Sequence, residues 1–168
     1  LDMKTPLLKA LSRIEAVTLR ILKLFGNRNV KWVRATMGAE QEFFLVDENK
    51  AAQRPDLQYC GRTIMGTPTP KGQQMEDHYF GFIPPRVIAF MQEVGCQMST
   101  LGIVIKTRHN EVAPCQFEFA PQYTETNLAV DQNQILMEQM RLVASRHGLR
   151  LLLHEKPFAQ INGSGKHL

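Results

Sequence analysis

Glu40 and Glu42 stand two apart in Gly38-Ala39-Glu40-Gln41-Glu42-Phe43-Phe44-Leu45-Val46-Asp47, at the head of an apolar run. On a strand successive side chains alternate between faces, so the two carboxylates share one surface while Gln41 and Phe43 take the other. Like charges held that close drive one of them to take up a proton unless a cation neutralises both. A second acidic pair lies in Lys106-Thr107-Arg108-His109-Asn110-Glu111-Val112-Ala113-Pro114-Cys115-Gln116-Phe117-Glu118. Glu111 and Glu118 are an odd interval apart, which puts them on opposite faces of one straight strand. Pro114 breaks the ladder, however, and a turn at Pro114-Cys115 can bring both carboxylates to one site. His167 adds an imidazole at the edge of Asn162-Gly163-Ser164-Gly165-Lys166-His167, a loop whose glycines let the backbone approach a ligand closely.

These oxygen donors with a single nitrogen suit Mg²⁺ or Mn²⁺ better than zinc. More than one such ion could hold a nucleotide's phosphates and neutralise charge as a phosphoryl group moves, without a side-chain nucleophile. Each feature also has a plainer reading. Glutamate pairs are common at strand ends, Glu118 could face water while Phe117 and Phe119 pack inward, and Asn, Gly and Ser are ordinary turn residues. Gly165-Lys166 is not a phosphate-binding P-loop, because Gln160 stands where the first glycine belongs and His167 where the hydroxyl belongs.

The elements that must position these groups are legible as periodicity. Leu7, Leu8, Leu11, Ile14, Leu22 and Phe25 recur at helical spacing between Thr5, a candidate N-cap, and Gly26. Val30 to Thr36 and Glu42 to Asp47 flank Met37-Gly38-Ala39 and read as two strands or as one strand with an irregular middle. The prolines and glycines from Asp47 to Gln74 predict a long, functional loop. Pro84-Pro85 opens a second helix, with Val87, Ile88, Met91, Val94 and Met98 on one face, that closes at Leu101-Gly102; a strand follows from Ile103. Thr124 to His147 predicts a third helix burying Leu128, Ile135, Leu136, Met140 and Val143, and Leu149 to Leu153 a buried strand. This order argues for an α+β domain.

The 168 residues carry a net charge of +4 from 20 basic and 16 acidic side chains, scattered rather than clustered, which gives nucleic-acid binding little support. Cys60, Cys96 and Cys115 are odd in number and lack CxxC spacing, as expected of free thiols in a reducing compartment. No apolar run reaches membrane-spanning length, so a cytoplasmic protein is expected.

Four motifs occur in order: Gly-x-Glu-x-Glu-Phe-Phe-Leu at 38–45, Lys-Gly-Gln-Gln-Met-Glu-Asp-His-Tyr-Phe-Gly at 71–81, Lys-Thr-Arg-His-Asn-Glu-Val-Ala-Pro at 106–114, and Leu-His-Glu-Lys-Pro-Phe at 153–158 followed by Asn-Gly-Ser-Gly-Lys-His. Together they resemble one family, glutamine synthetase, and within it the long bacterial type III branch. The resemblance implies a catalytic domain with a mainly antiparallel curved sheet and flanking helices. It implies that Glu42, Glu111 and Glu118 hold the ion near the substrate glutamate, Glu40 and His167 the ion at the nucleotide phosphates, and Asn162 and Gly163 the glutamate itself. It implies ATP, glutamate and ammonia as substrates, two or more Mg²⁺ or Mn²⁺ ions per site, a γ-glutamyl phosphate intermediate, and a dodecamer of two hexameric rings. Ala39, Gln132 and Gln160 stand where the type III pattern has Pro, His and Gly.

The family also has an N-terminal β-grasp domain, a further glutamate ligand and several arginines that do not occur among these residues. The expectation is therefore the first part of a catalytic domain, inactive and unstable as an isolated monomer. A related ligase that couples glutamate to another amine, and a non-catalytic assembly or regulatory protein, are the alternatives.

Overall fold

The computed structural model describes residues 2–168. The elements in chain order are α1 (Thr5–Leu24), β1 (Thr36–Met37), β2 (Glu40–Asp47), α2 (Glu48–Ala51), α3 (Pro55–Cys60), a 3-10 segment (Gln74–Phe80), α4 (Pro85–Thr100), β3 (Ile105–Asn110), β4 (Gln116–Pro121), β5 (Thr124–Glu125), α5 (Thr126–Arg146), β6 (Leu149–Leu152) and β7 (Lys166–His167). The α+β class holds, with an unclosed, wholly antiparallel main sheet ordered β3-β4-β2-β6. The edge of β2 away from β4 is shared, because β6 pairs with Phe44–Asp47 and β7 with Glu40 and Gln41. Every residue of β2 thus has a strand partner on at least one side.

Alternation along β2 and β4 divides the sheet into two unlike faces. Phe43, Leu45, Phe117 and Phe119 point to the side covered by α4 and α5, where they join Phe90, Met91, Val94, Met98, Leu136, Met140 and Val143 in the main core. Phe43 stacks on Phe119 at 5.1 Å between ring centroids and meets Phe90 edge-on at 5.9 Å. Such pairs contribute about 0.5–1.5 kcal/mol each beyond the area they bury. Glu93 ties the two helices together outside this core, accepting hydrogen bonds from Arg146 and from His147 Nε2.

On the opposite face, Phe44 packs with Ala51, Leu57, Ala113 and Leu152 in a second, smaller core under α2 and α3. These short helices cover only the C-terminal half of β2. Its N-terminal half, with Glu40 and Glu42, stays free of apolar cover.

Several expectations from the sequence are corrected. Val30 to Ala35 forms no strand; only Thr36–Met37 is extended, paired with Thr124–Glu125. The segment from 47 to 74 is not one long loop, since Asp47 accepts from Lys50 N and starts α2, and Pro55 starts α3. Short helices of 4 and 6 residues are too brief for periodicity to reveal. Thr5 is not the N-cap of α1: its own N–H donates to Asp2 Oδ1 at 2.6 Å. Helix α5 begins at Thr126, capped by the Glu125 side chain, and it turns Ala129 and Asn133 inward while Leu128 and Ile135 remain exposed. The strand expected from Ile103 begins at Ile105. No residue of α1 is buried.

Candidate functional site

The site forms where β2, β4, the end of β3 and the 162–167 loop meet on the open face. Glu42 lies directly opposite Glu118 in the β2–β4 ladder, and Glu40 opposite His167 in the β2–β7 ladder. His109 lies opposite Glu118 in the β3–β4 ladder. That register resolves the odd spacing of Glu111 and Glu118. From Thr107 onward, past a register shift after Ile105, partners in this hairpin pair odd with even numbers, and the ladder runs on through the bond from Glu111 N to Gln116 O, so Glu111 shares a face with Gln116 and Glu118. The chain reverses at Ala113–Gln116, with Cys115 at φ 59°.

One ligand atom each from Glu40, Glu118 and His167 falls within 4.8 Å of the others, and so does one each from His109, Glu111 and Glu118. Glu118 is common to both groups. Glu42 stands beside them, its Oε2 accepting from Gly165 N at 3.1 Å and from Gln116 Nε2 at 3.5 Å. His167 Nδ1 is 2.7 Å from Glu40 Oε2.

Glu118 is the electrostatic centre. It is only 3% exposed, and its Oε1 is buried without a hydrogen-bond partner. Desolvation first, and then the charges of Glu111, Glu40 and Glu42, push its carboxyl up to about 8. Burial likewise raises Glu42, reinforced by Glu111 and Glu40 and opposed by the Gly165 N–H and His167. His109 sharpens the point. Its Nδ1 is 3.0 Å from the Asn110 carbonyl, which can only accept, so Nδ1 carries a proton and Nε2 meets Glu118 Oε2 at 3.1 Å. Only a proton or a cation makes that last contact favourable. A buried carboxylate oxygen without a donor, ringed by carboxylates and imidazoles, fits a divalent ion of the Mg²⁺ or Mn²⁺ type.

The loop beside this cluster is pinned atom by atom. Asn162 N donates to Gln73 Oε1 at 2.6 Å, Gly163 O accepts from Gln116 Nε2 at 2.6 Å, and Ser164 Oγ donates to Leu152 O at 3.0 Å. Ser164 N donates to Glu155 O, and Gly165 O accepts from Glu42 N. A Cβ at Gly163 would lie 2.0 Å from Glu155 O, so only glycine fits there. Asn162 and Gly163 therefore sit in a rigid cradle a few residues from the Glu40–His167 pair.

Sequence reasoning missed His109, Gln116, Tyr79 and Gln73. His109 precedes Glu111 by two and Gln116 precedes Glu118 by two, so strand alternation could have placed both on the acidic face. Tyr79 and Gln73 come from the 3-10 segment and the turn before it, where no periodicity points at the site. Tyr79 donates its hydroxyl to Glu111 Oε2 at 3.0 Å, and burial together with that carboxylate pushes the phenol up to about 12.

Residues 19–168 match the family model described as glutamine synthetase, catalytic domain. The chain is 52% identical over 167 residues to a glutamine synthetase of Bacteroides fragilis and 50% identical over 167 residues to the type-3 glutamine synthetase of Dictyostelium discoideum, with 99% of this chain and 23% of each relative covered. It thus spans about a quarter of the length of the curated relatives it matches. Two solved structures share the fold: the GmaS/ADP complex, at 28% identity and TM-score 0.59, and apo GmaS, at 26% identity and TM-score 0.55. In both comparisons 79% of this chain is covered and 28% of the other. With the family model matched over most of its length and half of its residues shared with named members, this chain belongs to the glutamine synthetase family.

Proposed function

We propose that this chain is part of the catalytic domain of an enzyme that ligates ammonia to glutamate at the expense of ATP, through a γ-glutamyl phosphate intermediate. The observation that carries the reading is Glu118, buried with an orphaned oxygen between two acidic groups and beside the pinned 162–165 loop. Glu40, Glu42, Glu111, Glu118 and His167 would hold the divalent ions. Bound ions would offset negative charge on the phosphates and on the glutamate carboxylate that attacks them. Tyr79 and Gln116 keep Glu111 and Glu42 in place through their hydrogen bonds. Asn162 and Gly163 would receive glutamate, and the missing Cβ of Gly163 lets the loop lie against the Glu155 backbone. A nucleotide as co-substrate is supported by the ADP bound to the neighbour GmaS.

The remaining ligands would come from outside these residues, and the working protein would be a homo-oligomer of stacked rings, two hexamers by resemblance to the type III branch. The full-length gene product should release phosphate from ATP only when glutamate, ammonia and Mg²⁺ or Mn²⁺ are all present. Turnover with an alkylamine far above that with ammonia would instead identify a related γ-glutamyl ligase, and no turnover with either would overturn the ligase reading.

A further inference from the structure

Between Lys71 and Gly81 the chain folds into a compact unit held mainly by its own bonds. Lys71 pairs with Asp77 at 2.6 Å, His78 Nε2 contacts Gly72 O at 2.9 Å, and Glu76 N donates to Gln73 O at 3.2 Å. Its C-terminal end is fastened to the sheet where Asn110 Nδ2 donates to Gly81 O at 2.7 Å. Met75 and Glu76 both take positive φ, 58° and 55°, a conformation that residues with a side chain rarely adopt. Two such residues in succession persist only where the surroundings over-determine them, and such strain gathers at clamps and active sites.

The unit reaches the site at two points on either side of this reversal. Tyr79 touches Glu111, in the acidic cluster, and Gln73 touches Asn162, in the loop. The loop's other backbone and hydroxyl contacts come from β2, β4, β6 and the chain just after β6. Among the described residues, Gln73 is the one hydrogen-bonded tie to residues 162–165 from outside the sheet and the chain just after β6, and it falls on the residue at the loop's entrance. Its 2.6 Å bond is short for an amide acceptor.

We propose that Gln73 is a positioning residue for substrate, fixing the Asn162 backbone so that the 162–163 loop is ready to receive glutamate; this rests on the ligase reading of the site. Gln73 uses only its carbonyl oxygen in this contact, so what matters is an acceptor at that reach rather than an amide. Losing one hydrogen bond of ordinary strength lets the loop sample other positions, and occupancy of the receptive one falls severalfold.

The test compares wild type with Gln73→Met, which keeps the length and lacks the acceptor, and Gln73→Glu, which keeps an acceptor oxygen, in the full-length gene product. Hydrogen exchange in the peptide covering 159–165 should speed up in Gln73→Met and stay slow in Gln73→Glu. The KM for glutamate should rise roughly five- to tenfold in Gln73→Met, with kcat and the KM for ATP within about twofold of wild type. Faster exchange with an unchanged KM for glutamate would reduce Gln73 to a structural tie and overturn the proposal. Equal losses in kcat and in both KM values would overturn it as well. Failure of wild type to make any γ-glutamyl product would bring down the ligase reading and this proposal together, whereas normal turnover with an indifferent Gln73→Met would bring down this proposal alone.

Discussion

Glu42 and Glu118 face each other directly across the β2–β4 ladder, and burial raises the proton affinity of both. Carboxylates opposed in this way repel, so without a cation the pair must hold a proton. Ligation of a divalent ion must displace it. Binding of Mn²⁺ or Mg²⁺ should therefore release close to one proton near pH 7, and affinity should climb with pH and level off only above pH 8, once Glu118 is ionised. Calorimetric titration in buffers of different ionisation enthalpy measures the release. Binding that is proton-neutral between pH 6.5 and 7.5, roughly the window this shift defines, would contradict the assignment.

The same shift fixes how stability depends on pH. Glu118 binds its proton more tightly folded than unfolded, so from the ordinary carboxylate range up to about 8 the folded state carries the extra proton and stability falls as pH rises. Above that the penalty is constant. Glu118→Gln removes the ionisable group, and the metal-free protein should melt higher than wild type at pH 8 and about equally at pH 5. The variant should also lose metal-dependent turnover. Equal melting temperatures of wild type and variant at both pH values would show that Glu118 titrates normally.

Much of the fold was readable because it rests on alternation and helical period, as in β2, α4 and the body of α5. What periodicity could not reveal depends on pairing between distant segments. Thr36–Met37 is a strand only because Thr124–Glu125 lies beside it. The convergence of Glu111 with Glu118 followed from a proline and an odd interval, while the register supplied His109 for free. The contacts of Tyr79 and Gln73 arise from a segment with two residues at positive φ, a conformation no sequence period encodes. The apolar stripe read on α1, Leu7, Leu8, Leu11, Ile14, Leu22 and Phe25, is nowhere buried, and Leu8, Ile14 and Phe25 are exposed.

Two glycines of the loop should respond differently to alanine. At Gly163 the new Cβ would meet Glu155 O at 2.0 Å, so backbone must move and stability should fall by about 1–3 kcal/mol. At Gly165 the nearest atom is Glu42 Oε2 at 3.0 Å, the end of a side chain that can swing away. Gly165→Ala should keep the melting temperature within a few degrees of wild type and weaken metal binding, because Glu42 is pushed from its place. Chemical denaturation and Mn²⁺ titration of both variants give the comparison, and a well-folded, fully active Gly163→Ala would refute the first half.

The exposed stripe of α1 should make the isolated 168-residue chain self-associate. Ile14, Val17, Ile21 and Leu24 fall on one side of the helix at spacings of three and four, and a contiguous apolar face of this kind on a monomer promotes association. Replacing Ile14, Val17 and Ile21 with Gln should shift sedimentation toward monomer without changing helix content. Identical sedimentation of the two forms across concentration would exclude α1 as the contact.

Gln160 occupies a position where the type III pattern has glycine, and its φ is +64°. Left-handed backbone costs a side-chain-bearing residue about 1–2 kcal/mol, while glycine adopts it freely but gives up somewhat more entropy on folding. The Gln160 side chain is exposed and makes no hydrogen bond among the described residues, so its removal sacrifices no contact. Gln160→Gly should then stabilise the protein by about 0.5–1 kcal/mol, a gain seen as a rise of a few degrees in melting temperature. Ile161 separates this position from Asn162, and the loop beyond is pinned by Gln73, Gln116 and Glu155, so the KM for glutamate should stay within about twofold of wild type. A lower melting temperature would mean that glutamine relieves strain there. A large rise in KM with stability intact would mean that the stiff Gln160 backbone itself aims the loop.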